Sequence, residues 1–166
     1  LTIVLTYEGG ELVKAVTRGN GEIGEVITGN ARVFANVPLR ISYQGTLIIR
    51  GEAVIKYSDF ARINEEIEDV DARYKNPRNL CSGSVRQLNN QITAQRNVHF
   101  EAFMLVRADG VDFGNSRKRQ FQWLESQGFD VVEYQEVDTE SLPEAVSVFA
   151  EKIQTYDIPS DGLVLL

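Results

Sequence analysis

The opening residues constrain the fold more than any other part of the sequence. Residues 1–7 and 11–18 are two largely apolar runs separated by Glu8-Gly9-Gly10. Two such runs joined by a short glycine-containing turn are typical of a β-hairpin. Residues 46–57 are rich in Ile and Val and predict a further strand. We therefore expect a sheet that contains antiparallel strands from the start of the chain.

Helical patterns alternate with further strands along the rest of the chain. The predicted helices are a short one before Pro38, one capped by Ser58 and running to about Val70, a short one over 84–91, one from Asn115 or Ser116 to Gly128, and one from Ser141, in capping-box spacing with Glu144, through Ile153. The predicted strands are 97–107, 130–136 and one beginning near Gly162. We expect residues 71–83 to be irregular around a turn at Asn76-Pro77. These patterns indicate an α+β domain of mostly antiparallel sheets flanked by helices.

Composition excludes several classes of protein. With 166 residues, 43% of them apolar, the chain can form one hydrophobic core. Its single cysteine, Cys81, excludes an internal disulfide and a cysteine-built zinc site, and we expect it to pack in the core. No apolar run approaches the length of a membrane span, so we expect a cytoplasmic protein with no membrane partner. The net charge of −7 disfavours non-specific coating of DNA.

The two ends of the chain are both apolar. Leu1–Tyr7 and Gly162–Leu166 have the composition of core strands. A natural terminus rarely lies inside an apolar strand, because an unpaired hydrophobic edge promotes aggregation. We therefore expect this chain to be part of a longer protein.

Charge is strongly segregated in the middle of the chain. Between Ala72 and Phe100 there are no acidic residues and five cations: Arg73, Lys75, Arg78, Arg86 and Arg96. Guanidinium groups bind phosphate oxygens in pairs, so this segment is a candidate for phosphate recognition. The acidic residues that precede it, over 65–71, leave open the alternative that these cations are solvated and paired with an acidic helix.

Two strands carry polar residues among apolar ones. In Ile48–Val54, alternation places Arg50 and Glu52 on one face. A glutamate in mid-strand needs a partner or a ligand, although an Arg-Glu surface ladder is an alternative. In the strand over 97–107, His99, Glu101 and Phe103 share a face, and a flat ring beside hydrogen-bonding groups suits a purine base. The alternative places Phe103 in the core and His99 at its rim.

Taken in order, these segments resemble the adenylation domain of bacterial NAD-dependent DNA ligases. The most specific match is the thirteen-residue segment Asn76–Leu88. The other matching segments are Thr17–Gly21 with Gly24-Glu25, Val37–Leu39, Ile49–Ala53, Arg96–Phe103, Gly128-Phe129 and Asp161–Val164. The resemblance extends over nearly the whole chain.

The resemblance implies both a fold and a reaction. The fold is a nucleotidyltransferase (ATP-grasp-like) core over residues 1–166, truncated at both ends. In the family, a lysine of a Lys-x-Asp-Gly motif attacks the α-phosphate of NAD, expels nicotinamide mononucleotide and becomes AMP-lysine. The AMP then passes to a DNA 5′-phosphate, and the 3′-hydroxyl of the nick displaces it. The implied partners are NAD, magnesium, nicked duplex DNA and the remaining ligase domains, in a monomer.

The resemblance also implies roles for individual residues. Glu52 would hold the ribose and help to place the metal, and Phe103 would stack on adenine. Arg78 and Arg86 would contact the phosphates and the leaving mononucleotide. Arg18 would contact the adenylate or the DNA end. Asp161 would complete the catalytic set.

The chain departs from the family pattern at a few positions. Its 166 residues contain no Lys-x-Asp-Gly motif, which the family places just before the strand that matches Leu1–Tyr7. Leu166 stands where the motif beginning at Asp161 ends in a lysine. The family pattern has an arginine shortly before the position that matches Asp161. No arginine follows Arg119 in this chain, so Lys152 is the candidate for that cationic position. Two alternatives are a nucleotide- or DNA-binding pseudoenzyme without transfer chemistry, which Leu166 favours, and an ATP-using or RNA-ligating relative.

Overall fold

Four strands form one antiparallel sheet at the centre of the protein. They are β1 (Thr2–Glu8), β2 (Glu11–Arg18), β3 (Leu47–Val54) and β4 (His99–Ala108), in the spatial order β2-β1-β3-β4. The computed structural model describes residues 1–18, 24–160 and 162–164. The predicted hairpin is confirmed, and Gly9 and Gly10 make its turn with positive φ angles of 58° and 81°. The strands predicted over 46–57 and 97–107 are also confirmed.

Helices lie between and after these strands. They are α1 (Thr28–Ala31), α2 (Tyr57–Glu66), α3 (Pro77–Val85), α4 (Asn90–Gln95), α5 (Arg117–Ser126) and α6 (Leu142–Thr155), with a 3₁₀ turn at Val70–Ala72. The prediction for α5 is confirmed, because the Ser116 hydroxyl accepts a hydrogen bond from the Arg119 amide at 3.2 Å. The mixed α/β composition with an antiparallel sheet agrees with the predicted fold class.

The prediction of an irregular segment over 71–83 is wrong, because α3 begins at Pro77. The Asn76 side chain accepts a hydrogen bond from the Asn79 amide at 2.8 Å and caps this helix. Proline is well suited to the first position of a helix, where its missing N–H costs no hydrogen bond. The helix predicted over 84–91 is also wrong, because α3 ends at Val85 and α4 begins at Asn90.

The cap predicted for α2 is wrong as well. The helix begins at Tyr57, and the Ser58 amide donates instead to Asp157, 99 residues away in sequence. It ends at Glu66 rather than near Val70. At α6, Ser141 precedes the helix as predicted but makes no side-chain cap hydrogen bond to it.

Two predicted strands near the end of the chain differ from what is observed. Residues 130–136 form a single parallel bridge, Val131 with Ala102 of β4, instead of a strand. Residues 162–164 have no regular secondary structure, and positions 161, 165 and 166 lie outside the described residues. Alternation of apolar residues therefore identified a segment beside β4 but not the extent of its pairing.

The sheet has one fully covered face and one half-exposed face. Along β1 and β3, side chains such as Ile3, Leu5 and Ile49 are buried, whereas the residues between them are only partly buried. α3 packs against β3 at the covered face, where the Cys81 thiol lies 3.2 Å from the Ala53 carbonyl oxygen. Burial raises the pKa of Cys81 to about 12, in agreement with its predicted packing role. In the described ranges, no helix combines the length and apolar character needed to cross a membrane.

Candidate functional site

A row of polar residues crosses the half-exposed face of the sheet. Thr2 of β1 lies opposite Arg18 of β2 on one side and opposite Glu52 of β3 on the other. Glu52 in turn lies opposite Glu101 of β4. Directly opposed residues of antiparallel strands project from the same face. The register therefore brings Arg18, Glu52 and Glu101 into one row.

The Glu52 carboxylate is oriented by a hydrogen bond from the neighbouring strand. The Thr2 hydroxyl donates to Oε1 at 2.6 Å. The side chain is 41% exposed, so the remaining lone pairs of the carboxylate can accept hydrogen bonds from a ligand. Arg50 shares this face, but its Nη1 lies 4.0 Å from the Met104 sulfur, and no described ion pair joins it to Glu52. The arrangement is therefore not the Arg-Glu ladder considered above.

Phe103 lies on the same face as Glu52, at a bulge in β4. Arg50 pairs with Met104, whereas the next residue, Gly51, pairs with Ala102, so Phe103 is the extra residue. Strand alternation from Glu101 places its half-buried ring on the half-exposed face. Glu52 and Phe103 thus lie on one side of the sheet, as a shared pocket requires.

Glu101 is the buried carboxyl group of this face. It is 9% exposed, and burial, followed by the charge of Asp130, raises its pKa to about 7, while Lys56 opposes the shift. Together with Asp130, Tyr156 and Ile158 it lines an open cavity of about 490 Å³. A carboxyl group with this pKa can donate as well as accept a hydrogen bond near neutral pH.

The two predicted phosphate-binding arginines lie at opposite ends of α3. Arg78 is exposed in the first turn, and Arg86 caps the C-terminal end. Arg86 Nε lies 3.3 Å from the Glu25 carboxylate. The Asn30 side chain donates to the carbonyl oxygens of Val85 and Gln87 at 2.6 and 3.0 Å, which ties this end of α3 to α1.

The other cations of the segment do not form ion pairs with the acidic stretch over 65–71 in the described contacts. Arg73 donates to the Ile67 carbonyl oxygen at 3.0 Å. The Arg96 guanidinium lies 5.6 Å from the centre of the Tyr74 ring. The alternative in which these cations neutralise an acidic helix therefore has no support from the described contacts.

Some predicted site residues cannot be placed, and some contacts were missed. Asp161 and Leu166, together with residues 19–23 that include part of the matching segment Thr17–Gly21, lie outside the described residues. The sequence reasoning missed Thr2 as the partner of Glu52 and Glu25 as the partner of Arg86. Both partners are distant in sequence, so only the strand register or the packing of α3 could have revealed them. In the described ranges, no three His, Cys, Asp or Glu side chains cluster as a metal site.

Comparison with known proteins assigns the chain to a family. The family model described as "NAD-dependent DNA ligase adenylation domain" matches residues 1–166. A DNA ligase of Ruminiclostridium cellulolyticum is 63% identical over 165 residues, which are 99% of this chain and 25% of that protein. A DNA ligase of Lachnoclostridium phytofermentans is 64% identical with the same coverage. The chain thus spans about a quarter of the length of these relatives. It belongs to the NAD-dependent DNA ligase adenylation domain family.

Proposed function

We propose that this chain is the nucleotide-binding core of an NAD-dependent DNA ligase, which seals nicks in duplex DNA through AMP-lysine and AMP-DNA. The observation that carries the proposal is the family match over residues 1–166, in a chain whose sheet presents Glu52 and Phe103 on one face. The corresponding fold would be a nucleotidyltransferase core of the ATP-grasp type. Its four-stranded antiparallel sheet with flanking helices is consistent with that architecture.

The sheet face would bind the adenosine. The half-buried Phe103 ring would stack on adenine, and the Glu52 carboxylate would accept hydrogen bonds from the ribose hydroxyls. Because Thr2 already orients that carboxylate, less side-chain entropy would be lost on binding. Arg18, at the end of the same row, would contact the adenylate or the DNA end.

The arginines of α3 would act on the phosphates. In the first step a lysine amine forms a bond to the α-phosphorus, and the bond to nicotinamide mononucleotide breaks. Phosphoryl transfer depends mainly on positioning and on neutralising charge at the phosphate oxygens. Arg78 and Arg86, at the two ends of α3, would contact these oxygens, and the ion pair with Glu25 would restrict the orientation of Arg86. Asp161 would be the remaining catalytic residue.

The residues of the sheet face fit a magnesium ion that binds mainly through the substrate. Magnesium in nucleotide sites is usually held by one or two carboxylates, with phosphate oxygens and water as the other ligands. The partly exposed Glu52 carboxylate can supply that protein ligand, so a cluster of three acidic groups is not needed. When bound, the ion would neutralise charge on the phosphate oxygens.

The pseudoenzyme interpretation rests on Leu166 alone and is not supported by the relatives, which are named DNA ligases. An ATP-using relative is disfavoured by the match to an NAD-dependent family. These alternatives predict different nucleotide chemistry, so one assay separates them.

The test uses the complete protein, including the family's Lys-x-Asp-Gly motif. The protein is incubated with magnesium and either NAD or ATP, and its intact mass is measured. We expect a covalent AMP adduct with NAD only, and none when the motif lysine is replaced by alanine. An adduct with ATP would indicate the ATP-using class. Nucleotide binding without any adduct would reject the proposed chemistry.

A further inference from the structure

The segment after α6 is fastened to the start of α2 by Asp157. The Ser58 amide donates to Asp157 Oδ1 at 2.9 Å, and the Ser58 hydroxyl donates to Oδ2 at 2.6 Å. The Tyr57 amide donates to the Asp157 carbonyl oxygen at 2.8 Å. The local N-cap residue, Lys56, makes no side-chain cap hydrogen bond. We call this set of three hydrogen bonds the clasp.

The clasp has the chemistry of a strong helix cap. Its carboxylate accepts two hydrogen bonds at the positive end of the α2 dipole, where negative charge is favoured. These hydrogen bonds with Ser58 hold the pKa of Asp157 below its usual range. Hydrogen bonds to an ionised acceptor are stronger than those between neutral groups. The clasp is therefore suited to fixing the position of a distant segment.

The residues on both sides of Asp157 reach the site face. Tyr156 and Ile158 line the same open cavity as Glu101. Glu101 lies directly opposite Glu52 in the sheet. The clasp thus holds the chain beside the polar row at the point where it approaches Gly162.

Little chain separates the clasp from the motif that begins at Asp161. Residues 158–160 between them are half-buried, and the Ser160 hydroxyl donates to the Ile158 carbonyl oxygen at 3.1 Å. A displacement of about 1 Å at a catalytic site can lower the rate by a factor of 10².

We propose that Asp157 is a positioning residue of the adenylation site, which holds Tyr156 and Ile158 at the cavity that Glu101 lines. This rests on the proposed function, in which the Asp161 segment takes part in AMP transfer. Asp157 acts through Ser58 and Tyr57 and touches no substrate.

The test compares Asp157→Ala with Asp138→Ala in the complete protein. Asp138 is a matched control, because its carboxylate likewise accepts from the amide and hydroxyl of a serine, Ser141, at 2.8 Å each. It lies at the other end of α6, whose 14 residues span about 21 Å. We expect Asp157→Ala to lower kcat for AMP-adduct formation from NAD roughly tenfold, with KM for NAD changed less than about twofold. Asp138→Ala should change neither by more than about twofold.

Variants of Ser58 test the hydrogen bonds individually. Ser58→Ala should lower kcat in part, and Ser58→Thr, which keeps the hydroxyl, should restore it. Combining Ser58→Ala with Asp157→Ala should lower kcat no further than Asp157→Ala alone, because the two residues act through one contact. If Asp157→Ala fails to fold, the comparison of Ser58→Ala with Ser58→Thr tests the proposal instead.

Several outcomes would overturn the proposal. An unchanged kcat in Asp157→Ala would do so, as would an equal loss in Asp138→Ala at a matched change in Tm. Equal activity of Ser58→Ala and the unsubstituted protein would also contradict it. An unsubstituted protein that forms no AMP adduct would instead reject the proposed function, and the role of Asp157 with it.

Discussion

At the scale of single residues, Glu101 illustrates how a site can hold a carboxyl group that is costly to ionise. Its side chain is nine-tenths buried, and it lies close to Asp130. Burial disfavours the charged form of a carboxyl group, and a neighbouring negative charge adds to this effect. The resulting pKa of about 7, raised from 4.5, links the ionisation of Glu101 to the stability of the fold.

We predict that Glu101→Gln stabilises the protein more at high pH than at low pH. Between pH 4.5 and 7 the native state retains a proton that the unfolded state has lost, so the free energy of unfolding falls as pH rises through this window. Glutamine does not ionise, so the variant avoids this fall in the free energy of unfolding. Allowing for solvent screening, we expect a relative gain of about 1–2 kcal/mol at pH 8 compared with pH 4.5.

Urea unfolding of the complete protein and the variant at the two pH values measures this difference. The free energy of unfolding of the variant, relative to that of the unsubstituted protein, should rise between pH 4.5 and 7 and then level off. A difference in stability that is the same at pH 4.5 and pH 8 would show that Glu101 does not have a raised pKa.

At the scale of elements, β3 depends on a glycine at the centre of the sheet. A Cβ at Gly51 would lie 2.4 Å from Phe100 Cζ and 2.6 Å from the Glu101 carbonyl oxygen. The second of these atoms belongs to the backbone of β4, which cannot move away without disturbing the strand pairing. Gly51 therefore allows β4 and the Phe100 ring to approach β3 closely.

We predict that Gly51→Ala lowers the free energy of unfolding by about 1–3 kcal/mol, as overpacking of a close contact does. Gly29→Ala is the matched control, because it lies in α1 and a Cβ there would meet no atom within 4 Å. Thermal unfolding of both variants tests this. Equal Tm values for the two variants would contradict the close contact.

The helix α3 carries a prediction about the individual reaction steps. If Arg86 contacts the leaving mononucleotide, Arg86→Ala should slow AMP-adduct formation from NAD on the order of a hundredfold, the scale at which a charge-stabilising group contributes. Sealing of DNA that already carries AMP should be much less affected. Arg86→Lys keeps the charge but loses the forked geometry, so it should restore the first step only in part.

Both reactions are measured with the complete protein by single-turnover kinetics. An equal loss of rate in the two assays would reject a role at the leaving group. It would indicate instead that Arg86 supports α3 through its ion pair with Glu25.

At the scale of the whole molecule, the predictable features are those determined by local pattern. Gly9-Gly10 between apolar runs was sufficient for the hairpin, and Ser116 for the start of α5. Asn76-Pro77 was not sufficient, because the same pair can form a turn or begin a helix. The cap of α2 could not be predicted, because its acceptor is 99 residues away.

The candidate site also has some features that local pattern predicts and some that it does not. Strand alternation predicted which residues of β3 share a face with Glu52, but not that Thr2 orients its carboxylate. Alternation in β4 likewise predicted that Phe103 shares a face with Glu101, but not that it is the extra residue of a bulge, without a directly opposed partner in β3. Long-range register and packing therefore supplied what the residues alone did not.

That bulge also affects how such a chain can change during evolution. Substitution at position 103 exchanges one side chain on the half-exposed face for another and leaves the pairing of β4 intact. Loss of the extra residue would leave Ala102 opposite Gly51 and Met104 opposite Arg50 in a regular ladder, so the neighbouring side chains would keep their faces. Variation in this part of β4 should therefore be tolerated in the number of its residues as well as in their identity, with the ring at position 103 as the part that is lost.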